Sequence, residues 1–327
     1  MVFVDDNSCD GTADIIEETA RQHNHLSIRL IRRFHRYGLS SACIEGILSS
    51  MANCVAVMDV DGQHDEALLP VMYNDLAKSS IDVVVASRYV TGGSTGDLAS
   101  NRVFISTVAT RLAQSLSKTS TTDPMSGFFM LRRASFNVLA NELFGQGFKI
   151  LLDILLAGSG KLALKERPYK MRQRRYGESK LSAKVIVDYF LLLANHLLGR
   201  FLPLDFVCFV LVGVFGSLVH LSIIWFFLRT SSLSFLECQA IATFATISLN
   251  FYFNNSITFA YQRLRGKKLF KGLLKFFSLC GVGFLLNLSI SQNAYLLVHS
   301  WVVAGLLGYS ISGLWNYMCS KTSIWKS

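Results

Sequence analysis

Residues 54–66 read CVAVMDVDGQHDE. A short apolar run, of the kind that forms a buried strand, leads directly into two carboxylates and an amide at alternate positions. If the backbone stays extended, Asp59, Asp61 and Gln63 point to one side. Three oxygen donors facing one point suit a hard divalent cation, Mg²⁺ or Mn²⁺. The alternative is a solvated acidic turn that caps the following helix through Asp65.

Short apolar runs alternate with helix-like stretches through the first 170 residues. Continuous Val and Ile runs between helices predict an α/β domain whose sheet is covered on both faces. Ligands of such sheets collect beyond the carboxyl ends of the strands, where the acidic tip falls. The predicted strands are 2–4, 27–31, 55–58, 83–86, 127–131 and 162–165. The predicted helices are 12–23, 39–51, 67–78, 101–117 and 148–157.

A second acidic tip follows the first predicted strand, in the sequence VDDNSCDGT at residues 4–12. A turn with a helix cap at Asp10 or Thr12 accounts for the end of this segment. It does not require the two carboxylates of Asp5 and Asp6 directly after the strand. The sequence therefore places a second acidic group at the predicted ligand edge.

Cationic and hydroxyl side chains follow the later strands. Arg88 comes directly after a predicted strand. Arg102 and Ser106 lie four apart near a predicted helix start, beside free backbone N–H groups, and this combination predicts a phosphate pocket. Asp123 lies in a loop that enters a strand. The segment RQRRYGESK at 172–180 is either a further phosphate-binding segment or a basic solvated loop beside a membrane.

Six motifs, in this order, resemble those of family 2 glycosyltransferases. They are DDNSCDGT, MDVDGQH, SRY, DPMSGF, GFKILLD and RRYGESKL, and they cover residues 1 to about 184. They are most similar to the polyprenyl-phosphate (dolichol-phosphate) mannose synthases, which have a GT-A fold. The resemblance implies an inverting transfer of a hexose to a polyprenyl (dolichyl) phosphate. The donor that the resemblance favours is GDP-mannose, which supplies mannose. UDP-glucose is the alternative donor, because glucosyl-transferring relatives share these motifs.

The resemblance also implies roles for individual residues. The nucleotide would be bound by Asp5, Asp6 and Asp59. The metal, Mg²⁺ or Mn²⁺, would be held by Asp59, Asp61 and Gln63. The catalytic residues would be Asp61, Asp123 and Arg102. The acceptor phosphate would be bound by Arg88, Arg102, Ser106, Arg172, Arg174, Arg175 and Lys180. A lipid phosphate is already ionised at neutral pH, so it needs positive charge beside it more than it needs a general base.

One departure from the family pattern concerns the N-terminus. Relatives have another strand before DDNS, near the middle of the sheet, followed by a loop with a nucleotide contact of the Tyr-Asn-Glu type. We therefore expect a GT-A domain that lacks its first strand, from a misassigned or truncated start.

The second half of the chain is predicted to lie in a membrane. Residues 276–320 contain no Asp, Glu, Lys or Arg. Segment 180–203 carries a narrow polar stripe on an apolar helix, which predicts a helix in the membrane interface, with a core helix as the alternative. The predicted domains are 1–179, 180–203 and 204–327. The last contains four apolar spans near the length that a bilayer needs, at 206–228, 236–259, 273–298 and 302–320.

The charge distribution predicts the orientation in the membrane. Much of the net charge of +10 lies at 161–184 and 263–275, beside apolar segments. This placement favours anionic lipid heads over nucleic acid. The positive-inside rule predicts an integral protein of the cytoplasmic (plasma) membrane, with the catalytic domain and the C-terminus in the cytoplasm. Seven scattered cysteines without a CxxC pair indicate a reducing compartment.

The membrane half contains an internal repeat with an offset of 66 or 67 residues. HLSI at 220–223 is echoed by NLSI at 287–290, and Asn250 is echoed by Asn316. Four spans, asparagine–aromatic pairs and basic loops resemble the GtrA-like membrane domain, whose members are linked to polyprenyl-phosphate sugars. Amides in spans commonly pair helices, and a lipid-handling role is the alternative.

Two functions of other classes also fit the sequence. One is a translocator of lipid-linked sugars whose soluble half is degenerate; the retained DxDxQ motif and arginines argue against it. The other is a purely structural membrane anchor for a partner enzyme.

Overall fold

The fold is given by a computed structural model, which describes residues 1–34, 38–94, 100–172, 183–199, 202–233, 235–299 and 301–325. The chain forms two compact units, residues 1–200 and residues 201–327. Each unit has hydrophobic clusters of its own.

Strands and helices alternate through most of the first unit. The strands are β1 (Val2–Asp5), β2 (Arg29–Arg32), β3 (Cys54–Val57), β4 (Val83–Ser87), β5 (Phe129–Arg132) and β6 (Leu164–Pro168). The helices are α1 (Thr12–Gln22), α2 (Leu39–Ser49), α3 (Leu69–Lys78), α4 (Ser100–Ser117), α5 (Arg133–Leu139), α6 (Ile150–Gly158) and α7 (Ala183–Leu198).

The strands form two sheets. β1 and β2 are parallel. The other four have the order β3-β5-β4-β6, in which β5 runs antiparallel to both of its neighbours and β4 is parallel to β6. Because of this reversal, Phe129 at the start of β5 pairs with Val57 at the end of β3 and with Val85 of β4. The carboxyl ends of β3, β4 and β6 therefore meet the amino end of β5 at one edge of the sheet.

Both faces of the four-stranded sheet are covered, as the sequence predicts. Val83 and Val85 pack with residues of α2, α5 and α6 on one face. Val84 and Ala86 pack on the opposite face, against Met72 of α3. Complete burial of an apolar side chain the size of valine contributes about 1.5–3 kcal/mol, so the alternation along β4 stabilises both layers.

All six predicted strands and all five predicted helices form, and every boundary lies within three residues of its predicted position. Asp65 accepts a hydrogen bond from Ala67 N and caps a short 3₁₀ turn before α3, as expected. The sequence analysis missed α5, because this helix follows β5 without an intervening turn residue.

Helix α7 lies in the segment predicted to be interfacial, and it has two different apolar faces. Tyr189 and Leu192 are buried against α4 and α6, and Tyr189 Oη donates to the carbonyl oxygen of Ala109 (2.6 Å). Phe190 and Leu197 are exposed. One face therefore packs as a core helix does, while the other remains uncovered within the described residues.

The second unit is helical, with α8 (Leu204–Thr230), α9 (Phe235–Phe253), α10 (Lys267–Val298) and α11 (Trp301–Ser323). α9 continues into a π-helical turn, Asn254–Thr258, where Asn255 Oδ1 accepts from Leu264 N (2.8 Å) and from Trp325 Nε1 (3.0 Å). In the described residues, Leu204–Thr230 and Lys267–Asn287 are long and apolar enough to cross a membrane. Four spans remain a prediction.

Candidate active site

The acidic tip of β1 contains two carboxylates with different partners. Asp5 is buried and accepts from Ser8 N (3.0 Å) and Ser8 Oγ (2.6 Å), and these hydrogen bonds hold the pKa of Asp5 below its usual value. Asp6 Oδ1 accepts from Nε of the buried Arg33 (2.6 Å), which also donates to Ser41 Oγ (2.9 Å). Asp5 thus stabilises the loop after β1. Arg33 holds Asp6 against the start of α2. Arg33 was not predicted from the sequence.

The tip of β3 is folded into a turn. Gly62 has φ +75°, in the left-handed region, and Asp61 Oδ1 accepts from Gln63 N (3.1 Å). The backbone from Asp59 to Gln63 is therefore not fully extended, because it bends at residues 60–62. The Gln63 amide nitrogen donates to the carbonyl oxygen of Arg172 (3.2 Å), so this side chain turns towards the segment after β6.

Asp59 lies between two elements that both come from the quoted motifs. A Cβ atom on Gly127 would lie 2.7 Å from Asp59 Oδ2, so the carboxylate rests directly on the glycine. His64 is buried beside the carboxylate, with Nε2 4.0 Å from Asp59 Oδ2. Burial lowers the pKa of His64, although the charges of Asp59 and Asp61 oppose this shift.

Asp123 and Arg88 form a bidentate ion pair. Arg88 Nε lies 2.7 Å from Asp123 Oδ2, and Nη2 lies 2.8 Å from Oδ1. Asp123 is 1% exposed, and Arg88 is partly buried. Burial disfavours the guanidinium charge, but the hydrogen bonds and charge of Asp123 outweigh this and raise the pKa of Arg88. Asp123 thus holds Arg88 at the sheet edge in a fixed orientation.

The loop that carries Asp123 is fastened by Glu166 of β6. Glu166 Oε1 accepts from Thr121 Oγ1 (2.7 Å), Thr122 N (2.8 Å) and Thr122 Oγ1 (2.9 Å). Thr122 Oγ1 in turn lies 2.7 Å from Ser87 Oγ at the end of β4. Glu166 was not predicted as a site residue, because nothing in the sequence shows that β6 lies beside the loop that carries Asp123.

Lys149 and Tyr169 complete the charged edge. Lys149 precedes α6, and its pKa is lowered by burial and then by the charge of Arg88, against opposing effects of Asp123 and Asp59. Burial raises the pKa of Tyr169 to about 12, and Arg88 opposes that shift. These residues share one electrostatic environment. The sequence analysis did not select Lys149, although it lies in the quoted motif GFKILLD.

Arg172 is drawn to the acidic loop after β3. Its guanidinium contacts Asp65 Oδ1 (2.8 Å) and Glu66 Oε2 (2.7 Å), and its backbone N donates to the carbonyl oxygen of Gln63 (3.0 Å). The segment after β6 is therefore tied to the loop that carries the predicted metal ligands.

Several predicted acceptor-binding residues lie outside the described set. Arg102 and Ser106 are within α4, but their side chains are not described. Arg174, Arg175 and Lys180 lie in the undescribed range 173–182. Their roles stay predictions.

The side-chain oxygens at the tip of β3 are of the kind that binds a hard divalent cation. Asp59 and Asp61 supply carboxylate oxygens, and Mg²⁺ is commonly held by one or two carboxylates together with substrate phosphates. Within the described residues, no three His, Cys, Asp or Glu side chains are arranged to hold a metal ion. A metal here would take its remaining ligands from the Gln63 oxygen, the donor diphosphate or water.

The first unit is thus an α/β unit with acidic and cationic groups at one sheet edge, and the second is an apolar helical unit. The family described as Glycosyl transferase family 2 matches residues 1–139, and the family described as GtrA/DPMS, transmembrane domain, matches residues 208–325. These matches define the class: a glycosyltransferase with a membrane domain.

The relatives narrow the class further. The dolichol-phosphate mannosyltransferase of Pyrococcus furiosus is 31% identical over 327 residues, covering 99% of this chain and 90% of the relative. That of Mycosarcoma maydis is 36% identical over 216 residues, covering 65% of this chain and 72% of the relative. This chain belongs to the dolichol-phosphate mannosyltransferase family.

This chain is also similar, more distantly, to a solved structure. That structure is glucosyl-3-phosphoglycerate synthase from Mycobacterium tuberculosis, in complex with Mn²⁺, UDP-glucose and phosphoglyceric acid. The similarity covers 61% of this chain and 67% of that one, with 18% identity and a TM-score of 0.45.

Proposed function

We propose that this chain transfers a mannosyl residue from GDP-mannose to a polyprenyl (dolichyl) phosphate, with inversion at the anomeric carbon. An oxygen of the lipid phosphate forms the new bond to C1 of mannose, and the bond from C1 to the GDP oxygen breaks, so that GDP leaves. The observation that carries this proposal is the convergence of the Asp59–Asp61 tip and the Arg88–Asp123 pair on one sheet edge, in a member of this family.

On the donor side, Asp59 and Asp61, with Gln63, would hold Mg²⁺ or Mn²⁺ against the diphosphate. The cation supplies charge neutralisation for the leaving diphosphate. Asp5 and Asp6 would position the nucleotide, and Arg33 keeps Asp6 in place.

On the acceptor side, the nucleophile is an anion that must approach another anion. Arg88 brings a permanent positive charge, and Asp123 orients it through two parallel hydrogen bonds. Lys149 adds a basic side chain in the same environment. Because the phosphate is already ionised at pH 7, the reaction needs no proton transfer to the protein. We further assign acceptor binding to Arg102, Ser106, Arg172, Arg174, Arg175 and Lys180.

The site would work at the cytoplasmic face of a membrane. The exposed apolar side chains of α7, Phe190 and Leu197, suit the acyl boundary beneath the lipid headgroups. The basic segment 263–275 favours the cytoplasmic side by the positive-inside rule.

The test is a transfer assay with the full-length chain in membranes. Labelled GDP-mannose or UDP-glucose is incubated with polyprenyl phosphate and Mn²⁺, and the lipid fraction is counted. We expect transfer from GDP-mannose that stops with chelator and falls at least 100-fold in Asp61→Ala. The exposed Val60→Ala is the matched control in the same loop.

Each other outcome of this assay changes the proposal in a defined way. Transfer from UDP-glucose instead would replace the donor. Transfer that persists with chelator would remove the metal from the mechanism. No lipid product from either donor would overturn the proposed activity and favour a translocator.

A further inference from the structure

His64 presents one ring edge to Asp59. The backbone N–H of Asp59 donates to Nδ1 of His64 (3.2 Å), and Nε2 lies 4.0 Å from Oδ2 of the same residue. A Cβ on Gly127 would be 3.5 Å from the Cε1 atom between these nitrogens. Since Nδ1 accepts a hydrogen bond, the ring proton is on Nε2, the nitrogen that lies 4.0 Å from Asp59 Oδ2.

Aromatic neighbours hold the imidazole in this orientation. Phe128 stacks on its face, with ring centroids 5.1 Å apart and an interplanar angle of 13°. Tyr169 meets the imidazole edge-on at 5.8 Å and contacts Phe128 at 5.9 Å. All three rings are buried, so the imidazole has little room to rotate.

Two neighbouring residues, Gly127 and His64, therefore limit the space around the Asp59 carboxylate. Gly127 forms its floor and leaves no space for another atom. His64 fixes the backbone of Asp59 through Nδ1 and faces its side chain through Nε2. A carboxylate that is already oriented loses less entropy when it takes up a cation.

We propose that His64 is a positioning residue that orients Asp59 for the divalent cation and the donor diphosphate. This inference rests on the proposed role of Asp59 as a ligand. His64 would act through Asp59, as outer-shell partners of metal ligands do.

Two substitutions separate the hydrogen bond from the shape of the ring. His64→Phe keeps the stacking on Phe128 but cannot accept from Asp59 N. His64→Asn is smaller, but its amide oxygen can take the position of Nδ1. The exposed His25→Phe serves as the control.

The first measurement is Mn²⁺ affinity of the purified full-length chain, from the electron paramagnetic resonance signal of free Mn²⁺, with and without GDP. We expect His64→Phe to bind Mn²⁺ about 10-fold more weakly, and His64→Asn to recover most of that loss. In steady-state assays, His64→Phe should raise KM for the sugar nucleotide while KM for the lipid phosphate stays within about twofold.

Resistance to trypsin checks that each variant is folded. If His64→Phe is digested, His64→Leu replaces it, since leucine also lacks an acceptor. Native Mn²⁺ affinity in the folded variant, or no recovery in His64→Asn, would overturn the inference. Asp59→Asn distinguishes a failure of the proposed metal site from a failure of the role of His64. If Asp59→Asn binds Mn²⁺ with native affinity, the proposed metal site is wrong. If Asp59→Asn loses Mn²⁺ affinity but the His64 variants do not, only the role of His64 is wrong.

Discussion

At the scale of single residues, the ion pair between Arg88 and Asp123 is the most constrained contact of the candidate site. A buried charge is tolerated when its partner satisfies it, and removal of one partner leaves the other uncompensated. The two parallel hydrogen bonds also depend on the planar guanidinium. Asp123 was predicted to be catalytic from the family motif, and its geometry indicates that it acts at least in part through Arg88.

The Arg88–Asp123 pair gives a prediction that tests whether Asp123 acts through Arg88 or contacts the sugar or the acceptor itself. We expect Asp123→Asn and Arg88→Lys each to lower kcat/KM for the lipid phosphate about 100-fold, because each breaks the bidentate geometry. The double variant Arg88→Gln/Asp123→Asn should be no worse than Arg88→Gln alone, since the two residues act as a unit. The exposed Arg21→Lys is the control.

Additive losses in the same double-mutant cycle would contradict this view. They would mean that Asp123 has a contact of its own with the sugar or the acceptor.

Gly127 gives a second prediction at this scale. In Gly127→Ala the new methyl carbon would lie 2.7 Å from Asp59 Oδ2, so the carboxylate has to move. We expect the Mn²⁺ concentration for half-maximal transfer to rise about 10-fold, because the metal ligand is displaced. Gly213→Ala, where the added atom meets nothing within 4 Å, is the matched control. An unchanged Mn²⁺ requirement in Gly127→Ala would place the cation elsewhere.

At the scale of secondary-structure elements, the first unit depends on a clamp between α3 and β6. Asp75 of α3 accepts from Lys165 Nζ (2.7 Å) and from Arg167 Nε (2.6 Å) and Nη2 (2.7 Å) of β6. The Asp75 side chain is 9% exposed. The hydrogen bonds of Arg167 are the main reason that the pKa of Asp75 falls from 3.8 to about 2.

The lowered pKa of Asp75 makes the contribution of the clamp depend on pH. The ionised carboxylate stabilises the folded state fully above pH 3.8, and this stabilisation disappears as the pH falls through about 2. We expect Asp75→Asn to lower the free energy of unfolding by about 2 kcal/mol at pH 6, with the difference from the wild type vanishing near pH 2.

Urea titrations followed by far-UV circular dichroism between pH 2 and pH 6 measure this difference. The exposed Asp14→Asn is the control, since its only described ion pair is with the surface residue Arg32. A difference between Asp75→Asn and the wild type that stays constant down to pH 2 would show that the charge of Asp75 is not responsible.

At the scale of the whole molecule, the internal repeat of the second unit is also a repeat of packing. A Cβ on Gly216 of α8 would lie 2.2 Å from Asn250 Oδ1 of α9, and a Cβ on Gly283 of α10 would lie 2.4 Å from Asn316 Oδ1 of α11. Each helix pair therefore has an asparagine pressed against a glycine of the preceding helix. The glycine lets the two helices of each pair approach closely, which supports a packing role for these asparagines.

The repeat predicts equal behaviour at its two equivalent positions. Gly216→Ala and Gly283→Ala should both lower the thermal stability of the second unit, because the added methyl group collides with the asparagine amide in each helix pair. Gly213→Ala in α8 and Gly281→Ala in α10 should have little effect, since an atom added there meets nothing within 4 Å.

Tryptophan fluorescence during heating reports on this unit, because all four tryptophans of the chain lie between residues 225 and 325. Asn250→Ala should restore part of the stability lost in Gly216→Ala, since it removes the colliding amide. Without such restoration, the collision would not be the cause.

The secondary-structure elements could be predicted from the sequence alone, and so could the types of side chain in the site. Period-two and continuous apolar patterns follow from local burial, so β3 and β4 could be predicted, and the acidic tip at Asp59 and Asp61 was visible as residues at a strand end. The apolar content of the second half and the repeat of Asn250 at Asn316 are likewise properties of the chain itself.

The tertiary structure alone decided which of these residues meet. The reversed direction of β5 brings Gly127 beneath Asp59 and Asp123 beside Arg88, and Gly62 folds the acidic tip into a turn. Partners such as Glu166, more than 40 residues from the loop it fastens, carry no local signal. The physical reason is that hydrophobic patterning is a property of neighbouring residues, whereas strand pairing and directed hydrogen bonds join residues far apart in the chain.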